Sequence, residues 1–280
     1  MRPNEIVTNR ILEEMDKGII PWKKPWNTLN PMNADGRPYS GINRILLSLT
    51  PYADHRYLTY KKALSLGGNV RKGEHGQMVV FWKFDRVQEK DSEETKIVPF
   101  MRLYTVFNVE QCEGLDLQPV NIERPFSAIE SAQAIMEGWH GMPRLQHKEP
   151  AAFYSPRLDY INMPKPETFI SDESYYATLF HEMIHGTGHE TRLHRFETNE
   201  YSHDAYGREE LVAEIGSAFL CAMAGIEIPE IIENHAGYLQ SWIRAIKGNN
   251  NLVITAASKA QAAFEMIAGK AAEEEQAAAA

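Results

Sequence analysis

Two histidines four residues apart constrain this chain more than any other feature. His181 and His185 enclose Glu182 in the motif HExxH. On a helix, residues four apart face the same way, so both imidazoles can bind one ion while Glu182, about 100° round the helix, reaches water on it. The predicted helix runs from Ser171 to about Gly186 and buries an apolar flank. That flank consists of Tyr176, Leu179, Phe180 and Ile184.

A catalytic zinc site needs a third protein ligand and one open position for water. His189 is one candidate, but it lies about 12 Å from His181 along a helix axis, which is too far unless the helix breaks at Gly186. The metzincin motif HExxHxxGxxH requires histidine at position 191, where this chain has Thr191. The preferred candidate is Glu210, in a helix predicted further along the chain.

Glu210 and Glu214 lie four residues apart and therefore on one face of that helix, an arrangement that resembles the gluzincins. If Glu210 binds the metal, Glu214 can accept the other ring N–H of a ligand histidine and fix its tautomer. The surrounding residues are apolar nearly all round, so we expect a buried helix whose carboxylates need a cation. A solvated acidic face formed by Glu209, Glu210 and Glu214 is the alternative.

The same residues predict a peptidase-type reaction. Zinc lowers the pKa of its bound water towards about 7, and Glu182 would take that proton and pass it to the leaving amine. A strand predicted at Leu158 to Met163 would lie where zincins place the edge strand that pairs with a peptide substrate. Three side chains between the two metal-binding helices are candidates to stabilise an oxyanion: Tyr201, His203 and Tyr206.

The composition is that of a globular protein. It is 43% hydrophobic and 24% charged, which excludes disordered, collagenous and disulfide-scaffold chains. Cys112 and Cys221 have no metal-type spacing, so we expect two small buried thiols.

No apolar stretch approaches the ~18 residues of a membrane span, and acidic residues occupy the N-terminus where a secretory signal would be apolar. A cytoplasmic protein without a membrane partner is expected.

Charge is distributed unevenly along the chain. Residues 1–87 contain 14 Lys and Arg against 8 Asp and Glu, a balance of +6. Residues 126–280 contain 11 against 22, a balance of −11, and residues 88–125 contain 4 against 8, which completes the net −9. A basic front half and an acidic back half suggest two functions, although both could be solvated faces of one fold.

The predicted elements indicate an α+β fold with two domains. Short helices and a hairpin over Met78–Phe84 and Ile97–Asn108 come first, and longer helices follow a proline-framed segment near Leu117–Pro125. We therefore expect an N-terminal α/β domain and a C-terminal, mainly helical domain of the zincin-like, gluzincin type. The predicted boundaries are residues 1–120 for the first domain, 121–127 for a linker, 128–270 for the second domain and 271–280 for a low-complexity tail.

Aromatic and basic residues interleave in the front half. Bases stack on aromatic rings at about 1–3 kcal/mol each, while Lys and Arg contact phosphates without reading sequence. This mixture predicts a single-stranded nucleic acid as a partner. The candidate contacts are Trp22, Lys23, Lys24, Trp26, Arg37, Tyr39, Lys61, Lys62, Arg71, Lys72, Trp82 and Lys83.

Four blocks carry a resemblance to a known family: YSGIN at residues 39–43, LTYKKALSLGGNVRKGEHGQMVVFW, HEMIHGTGH and REELVAEIGSAFLCA. From about residue 4 to residue 268, the chain resembles the ArdC-type antirestriction proteins of conjugative plasmids and the N-terminal region of TraC-type primases. The resemblance implies an N-terminal domain that binds single-stranded DNA and a C-terminal zincin-like metallopeptidase domain. Asn43, in the first block, completes the candidate DNA contacts.

The resemblance also implies a function, which is to protect incoming plasmid or phage DNA from host restriction. The leading hypothesis is a single-stranded-DNA-binding protein with a peptidase-type site that holds zinc, manganese or another divalent ion. Host restriction-enzyme subunits would be its protein targets. The alternative is a pure DNA-binding protein that occludes the strand and has a structural or vestigial metal site. A third hypothesis is a peptidase that acts independently of DNA.

Overall fold

The structure is a computed structural model that describes residues 1–22, 31–88, 95–117, 127–196, 203–227 and 235–269. The helices of these residues are α1 (Pro3–Asp16), α2 (Ile42–Ser48), α3 (Tyr60–Ser65), α4 (Ala128–Gly138), α5 (Asp172–Thr187), α6 (His203–Ala224), α7 (His235–Gly248) and α8 (Leu252–Ala268). The strands are β1 (Met32–Asn33), β2 (Arg56–Leu58), β3 (Asn69–Val70), β4 (Gln77–Gln88), β5 (Thr95–Asn108), β6 (Cys112–Glu113), β7 (Arg144–Gln146), β8 (Phe153–Ser155) and β9 (Tyr160–Asn162). Single turns of 3-10 helix lie at Val109–Gln111 and Pro166–Thr168.

The front part is built on a four-stranded sheet in the order β1-β2-β5-β4. Strands β4 and β5 form an antiparallel hairpin that pairs Gln77 with Val106 at one end and Gln88 with Thr95 at the other. Strands β3 and β6 form a separate antiparallel pair. The expected hairpin is therefore present, and its strands extend further into the acidic segment between them than the sequence predicted.

The back part surrounds a small sheet in the order β7-β9-β8 with helices α4 to α8. Helix α5 begins as predicted, because the Ser171 side chain accepts a hydrogen bond from Ser174 N–H and two acidic residues occupy its first turn. Its flank is buried at Leu179, Phe180 and Ile184. Mainly helical packing around a short sheet agrees with the predicted α+β fold.

Helices α5 and α6 approach each other closely. A Cβ atom at Gly216 in α6 would lie 2.7 Å from Cδ1 of Ile184 in α5, which real contacts do not allow. Glycine therefore permits a helix contact at this point that no larger residue could make without a shift of its neighbours. This contact fixes the separation of the two helices that carry the HExxH motif and Glu210.

The front and back parts share one hydrophobic core. Val7 and Ile11 of α1 belong to the same buried cluster as residues of α5 to α8. Polar contacts also cross between the parts: the Thr8 hydroxyl donates to the Asn250 carbonyl at 2.7 Å, and Arg44 of α2 donates to the Phe219 carbonyl of α6 at 3.1 Å. The predicted linker residues 121–126 and the tail 271–280 lie outside the described residues.

Two smaller expectations concern thiols and membranes. Cys221 is buried in α6 and Cys112 is partly buried in β6, and both thiols are free. Across the described ranges, every helix is too short or too polar to cross a membrane.

The Gly216 contact leads to a stability prediction. Gly216→Val should lower the free energy of unfolding by about 1–3 kcal/mol, because two methyl groups would be forced into the α5–α6 interface. Gly207→Val is the matched control, since Gly207 lies in the same helix and a Cβ there would meet no atom within 4 Å. Urea denaturation of both variants provides the measurement. Equal losses in the two variants would contradict an effect of the α5–α6 interface, because helix propensity alone favours valine over glycine at both positions.

Candidate metal centre

Helices α5 and α6 bring three potential ligands together. The Nε2 atoms of His181 and His185 are 3.1 Å apart. Glu210 places Oε2 at 3.5 Å from His181 Nε2 and Oε1 at 3.4 Å from His185 Nε2. Ligand atoms about 2.1 Å from a shared tetrahedral ion would lie about 3.4 Å from one another. The three donors therefore have the mutual spacing of a set that surrounds one ion, and they form the one such group among the described residues.

The three potential ligands lie close together and are also partly accessible to solvent. The side chains of His181, His185 and Glu210 are 20%, 12% and 24% exposed. Two imidazoles and one carboxylate are the donor set of catalytic zinc sites, which keep a further position open. Imidazole and carboxylate donors also suit other divalent first-row ions. Both the donor chemistry and the geometry of the site thus fit a divalent metal.

The electrostatics of the group favour positive charge. Burial would raise the pKa of Glu210, but hydrogen bonds from His181 and His185 outweigh it and hold that pKa far below its ordinary value. Burial lowers the pKa of His185, but hydrogen bonds to Glu209 and Glu210 outweigh it and raise that pKa to about 9. The two carboxylates therefore stabilise a cation at this point, as ligands of a metal must.

Glu182 lies beside the three ligands and is buried. Burial raises the pKa of its carboxyl group, while the neighbouring imidazoles of His181 and His185 and, least, the backbone N–H of Tyr154 act in the opposite direction. Tyr154 belongs to β8, so this strand contacts the residue that the sequence predicts as the general base. Strand β8 thus packs against the helix that carries Glu182.

His189 is not one of the converging ligands, and Glu214 lies one helical turn from Glu210. Helix α5 ends at Thr187, and His189 Nδ1 lies 2.8 Å from the hydroxyl of Thr191. Glu209 makes a contact of the kind that the sequence analysis proposed for Glu214, because its Oε1 is 3.4 Å from His185 Nδ1. Glu214 lies about 6 Å further along the α6 axis than Glu210, because it is one helical turn away. Glu209, the neighbour of the ligand Glu210 in sequence, therefore reaches the second ring nitrogen of His185.

Two predictions about the surroundings of the site are corrected. The strand expected to form the edge, Leu158 to Met163, contains β9, which is the central strand and pairs with β7 on one side and β8 on the other. Strand β8 forms the edge beside α5. Helix α6 begins at His203 and not at Glu209, so His203 and Tyr206 lie in its first two turns, while Tyr201 lies outside the described residues.

Two candidate DNA contacts prove to be structural. The Trp22 ring is buried and packs edge-on against Trp242, with ring centroids 5.6 Å apart. Asn43 is buried and hydrogen-bonds both the N–H and the C=O of Val80, at 2.6 and 2.7 Å. Both side chains are buried, and the Asn43 amide uses its oxygen and one N–H on the backbone of an edge strand, so neither is exposed to DNA.

The remaining candidates differ in exposure and in partners. Lys62 pairs with Asp35 at 2.5 Å, and the Arg71 guanidinium donates to the Glu110 carbonyl, also at 2.5 Å. Tyr39 is partly buried. Arg37, Lys61, Lys72, Trp82 and Lys83 are exposed. Lys23, Lys24 and Trp26 lie outside the described residues.

One surface of the β4–β5 hairpin escaped the sequence analysis. Its exposed or partly exposed side chains share one face of the strands and alternate aromatic and basic: Phe81, Lys83, Phe100, Arg102 and Tyr104. We call these five residues the hairpin face. The Phe81 and Tyr104 rings meet edge to face at 5.5 Å, and the Arg102 guanidinium lies 5.1 Å from the Phe100 ring centroid. The period-2 pattern of residues 100–104 could have revealed it.

Comparison with known proteins agrees with this architecture. Residues 2–107 match the N-terminal domain of anti-restriction factor ArdC, and residues 130–259 match a zincin-like metallopeptidase family. The crystal structure of antirestriction ArdC from plasmid R388 in its Mn(II)-bound form is 36% identical, with a TM-score of 0.78 over 95% of this chain and 97% of that one. This chain belongs to the ArdC antirestriction family. The metal-free ArdC structure aligns with a TM-score of 0.81 at 35% identity, over 98% of this chain and 99% of that one.

Curated relatives extend the ArdC likeness. The uncharacterized protein y4eC of Sinorhizobium fredii is 32% identical over 92% of this chain and 88% of its own length. Two proteins named DNA primase TraC from Escherichia coli are 37% and 36% identical, each over 92% of this chain. The chain spans only 19% and 26% of the length of these primases. The ArdC-like region is thus a small part of much longer proteins.

The ligand geometry predicts the effect of removing one donor. Mn(II) or Zn(II) should raise the unfolding temperature of the wild-type chain, because binding to the folded state alone stabilises it. Glu210→Gln should weaken metal affinity about 100-fold or more, since even partners outside the ligand set contribute 10–100-fold. Competition with a chromophoric chelator measures the affinity. His189→Ala is the control and should bind like wild type; an equal loss in both variants would contradict the assignment.

Proposed function

We propose that this ArdC-family chain is an antirestriction protein that binds single-stranded DNA and hydrolyses peptide bonds at a divalent metal centre. The observation that carries the enzymatic part is the convergence of His181, His185 and Glu210, with Glu182 buried beside them. Zinc is the ion that the donor set favours, and the Mn(II)-bound ArdC relative makes manganese the second candidate. Host restriction-enzyme subunits are the proposed protein targets.

The proposed mechanism assigns a role to each group. His181, His185 and Glu210 would hold the ion, which when bound supplies Lewis-acid polarisation of a carbonyl and acidification of water. Glu182 accepts a proton from the attacking water and returns it to the leaving amine. The imidazoles of His181 and His185 and the backbone N–H of Tyr154 favour the ionised form of Glu182, which is the form that can accept a proton.

Strand β8 supplies a docking edge for the substrate. Among the described strands it pairs with β9 alone, and it contacts the Glu182 carboxylate through Tyr154. An extended peptide that added to this edge would run past the ligand group, with main-chain hydrogen bonds giving affinity. A peptide bound there would have its scissile bond close to Glu182.

Glu182→Gln tests the hydrolytic role without removing a metal ligand. We expect peptide hydrolysis to fall by about 10²–10⁴-fold, because the amide cannot accept the proton. Metal affinity should stay within a few fold of wild type, since Glu182 is not one of the three donors. Hydrolysis assays on purified restriction subunits, with single-stranded DNA and metal present, give the measurement. Hydrolysis at the wild-type rate would contradict the proposed base.

The same variant separates the leading proposal from its alternative. A protein that protects DNA only by occluding it would keep full antirestriction activity as Glu182→Gln, because neither the DNA surface nor the metal ligands change. A peptidase mechanism requires that protection be lost together with hydrolysis. Conjugation into a restricting host and into a restriction-deficient host, with wild type and variant side by side, distinguishes the two outcomes.

DNA binding is proposed to use the hairpin face. Phe81, Phe100 and Tyr104 offer rings on which bases can stack, while Lys83 and Arg102 offer charges for phosphates. Rings and cations alternate along both strands, so neighbouring nucleotides would each meet one ring and one cation. The relatives named DNA primase TraC share this region, which supports nucleic acid as its partner.

The two faces of the hairpin allow a matched test. Phe81→Ala and Tyr104→Ala should each weaken single-stranded DNA binding about 5- to 150-fold, the equivalent of one lost stacking contact. Arg102→Ala should reduce the salt dependence of binding by about 0.7 in log–log slope, since one phosphate contact is lost. Phe84→Ala is the control, because Phe84 is exposed on the opposite face of β4.

Fluorescence anisotropy with a labelled oligonucleotide at several salt concentrations gives the affinities and the slopes. Trp82→Ala belongs in the same set, because the sequence analysis named Trp82 as a contact and it lies on the Phe84 side. If Phe84→Ala and Trp82→Ala weaken binding and the hairpin-face variants do not, the DNA lies on the other side of the sheet. Binding that does not change with salt would argue against phosphate contacts altogether.

A further inference from the structure

We infer that Arg195 is a positioning residue of the metal centre, which fixes Glu209 so that Glu209 can orient the imidazole of His185. The inference rests on the proposed metal centre and adds to it a group outside the three ligands. Arg195 lies in the segment that follows α5, well away in sequence from both histidines. Its role is to connect the end of one metal-binding helix to the beginning of the other.

The contact between Arg195 and Glu209 is bidentate. Nη2 of Arg195 lies 2.7 Å from Glu209 Oε1, and Nε lies 3.1 Å from Oε2. The Arg195 side chain is only 5% exposed, so the pair is shielded from solvent. Two parallel hydrogen bonds between a planar guanidinium and a carboxylate fix the plane of that carboxylate, which a lysine could not do.

Arg195 is itself anchored to the last turns of α5. It donates from Nη1 to the Thr187 hydroxyl and from Nη2 to the Ile184 carbonyl, both at 2.7 Å. A cation is favourable at this end of a helix, where carbonyl groups lack helical partners. Gly188 gives the guanidinium room, because a Cβ there would come within 3.1 Å of Nη2. Arg195 is thus held by α5 while it holds a residue of α6.

Glu209 transmits this constraint to the metal site. Its Oε1, the atom that accepts from Arg195, also lies 3.4 Å from Nδ1 of His185. Since Nδ1 and Nε2 belong to one rigid ring, a partner at Nδ1 determines where Nε2 points and which tautomer is present. Glu209 is not one of the three converging donors. The chain from Arg195 through Glu209 to His185 therefore orients a ligand without touching the ion.

Arg192 provides a matched control three residues away. It is also largely buried, pairs with a carboxylate, Asp159, and donates to the Gly186 carbonyl near the end of α5 at 2.6 Å. Its hydrogen bonds go to Gly141, Tyr154, Asp159 and Gly186, and among the described residues none goes to His181, His185 or Glu210. Loss of Arg192 therefore removes a comparable buried ion pair from the same helix end and leaves the orientation of His185 unchanged.

The test measures Mn(II) affinity of the purified full-length chain by chelator competition. Arg195→Met and Glu209→Gln should each weaken affinity about 10- to 100-fold, the usual effect of losing a partner of a ligand histidine. The double variant should bind about as weakly as Glu209→Gln alone, because Arg195 acts through Glu209. Arg192→Met should lower the unfolding temperature of the metal-free protein and leave Mn(II) affinity within a few fold of wild type.

Several outcomes would overturn the inference. One is an equal loss of affinity in Arg192→Met and Arg195→Met, which would indicate general destabilisation. Another is a double variant whose loss is the product of the single losses, which would mean that Arg195 acts independently of Glu209. If Arg195→Met does not fold, Arg195→Lys, which keeps the charge but not the fork, takes its place and should recover only part of the affinity. Wild-type affinity in both Arg195→Lys and Glu209→Gln would refute the role.

The experiment also separates this inference from the proposed function. A wild-type chain that binds no divalent ion would refute the metal centre itself. A wild-type chain that binds Mn(II) tightly, together with an Arg195→Met variant that binds equally well, would refute only the positioning role. Metal affinity is the readout in every case, so the result does not depend on finding a peptide substrate.

Discussion

The site depends on burying carboxylates of α6 against imidazoles of α5. Removal of a carboxylate from water is costly unless a positive charge or hydrogen-bond donors replace the solvent. Here His181, His185 and Arg195 supply them to Glu209 and Glu210. The apolar residues that bury α6 create this demand, so the packing of the core and the affinity of the site for a cation have the same origin.

Local signals in the sequence predicted the helices well. The Ser171 cap sets the start of α5, and the Thr59 side chain caps α3 in the same way by accepting a hydrogen bond from Lys62 N–H. The short strands could not be predicted in this way, because each depends on a distant partner: β1 pairs with β2, and Asn69 of β3 pairs with Glu113. Strands of two or three residues carry no periodic pattern of their own.

The candidate site also combines features that the local sequence determines with features that depend on distant contacts. The spacing of HExxH identified His181 and His185 as candidates, because residues four apart lie on the same face of a helix. The roles of Glu209 and Glu214 depend on how α6 is rotated about its axis relative to α5, which no local pattern encodes. Burial was equally hidden: Trp22 and Trp82 have similar sequence contexts, yet one ring lies in the core and the other is exposed. The composition of a segment indicates which ligands its side chains could bind, but packing determines which of those side chains are exposed.

Helix α2 links the proposed DNA surface to the metal-binding helices. Asn43 holds the outer edge of β4 through the backbone of Val80, and the next residue, Arg44, donates to the Phe219 carbonyl of α6. The Arg44 guanidinium also lies 4.2 and 4.9 Å from the ring centroids of Phe219 and Phe264, so it is held on several sides. A flexible linker would let a peptidase domain sample many positions around bound DNA, which lowers its effective concentration at any one of them. A direct connection through adjacent residues of one helix instead holds the metal centre at a fixed position relative to the proposed DNA surface. A protein engaged on the same DNA would then meet the metal centre at a defined distance.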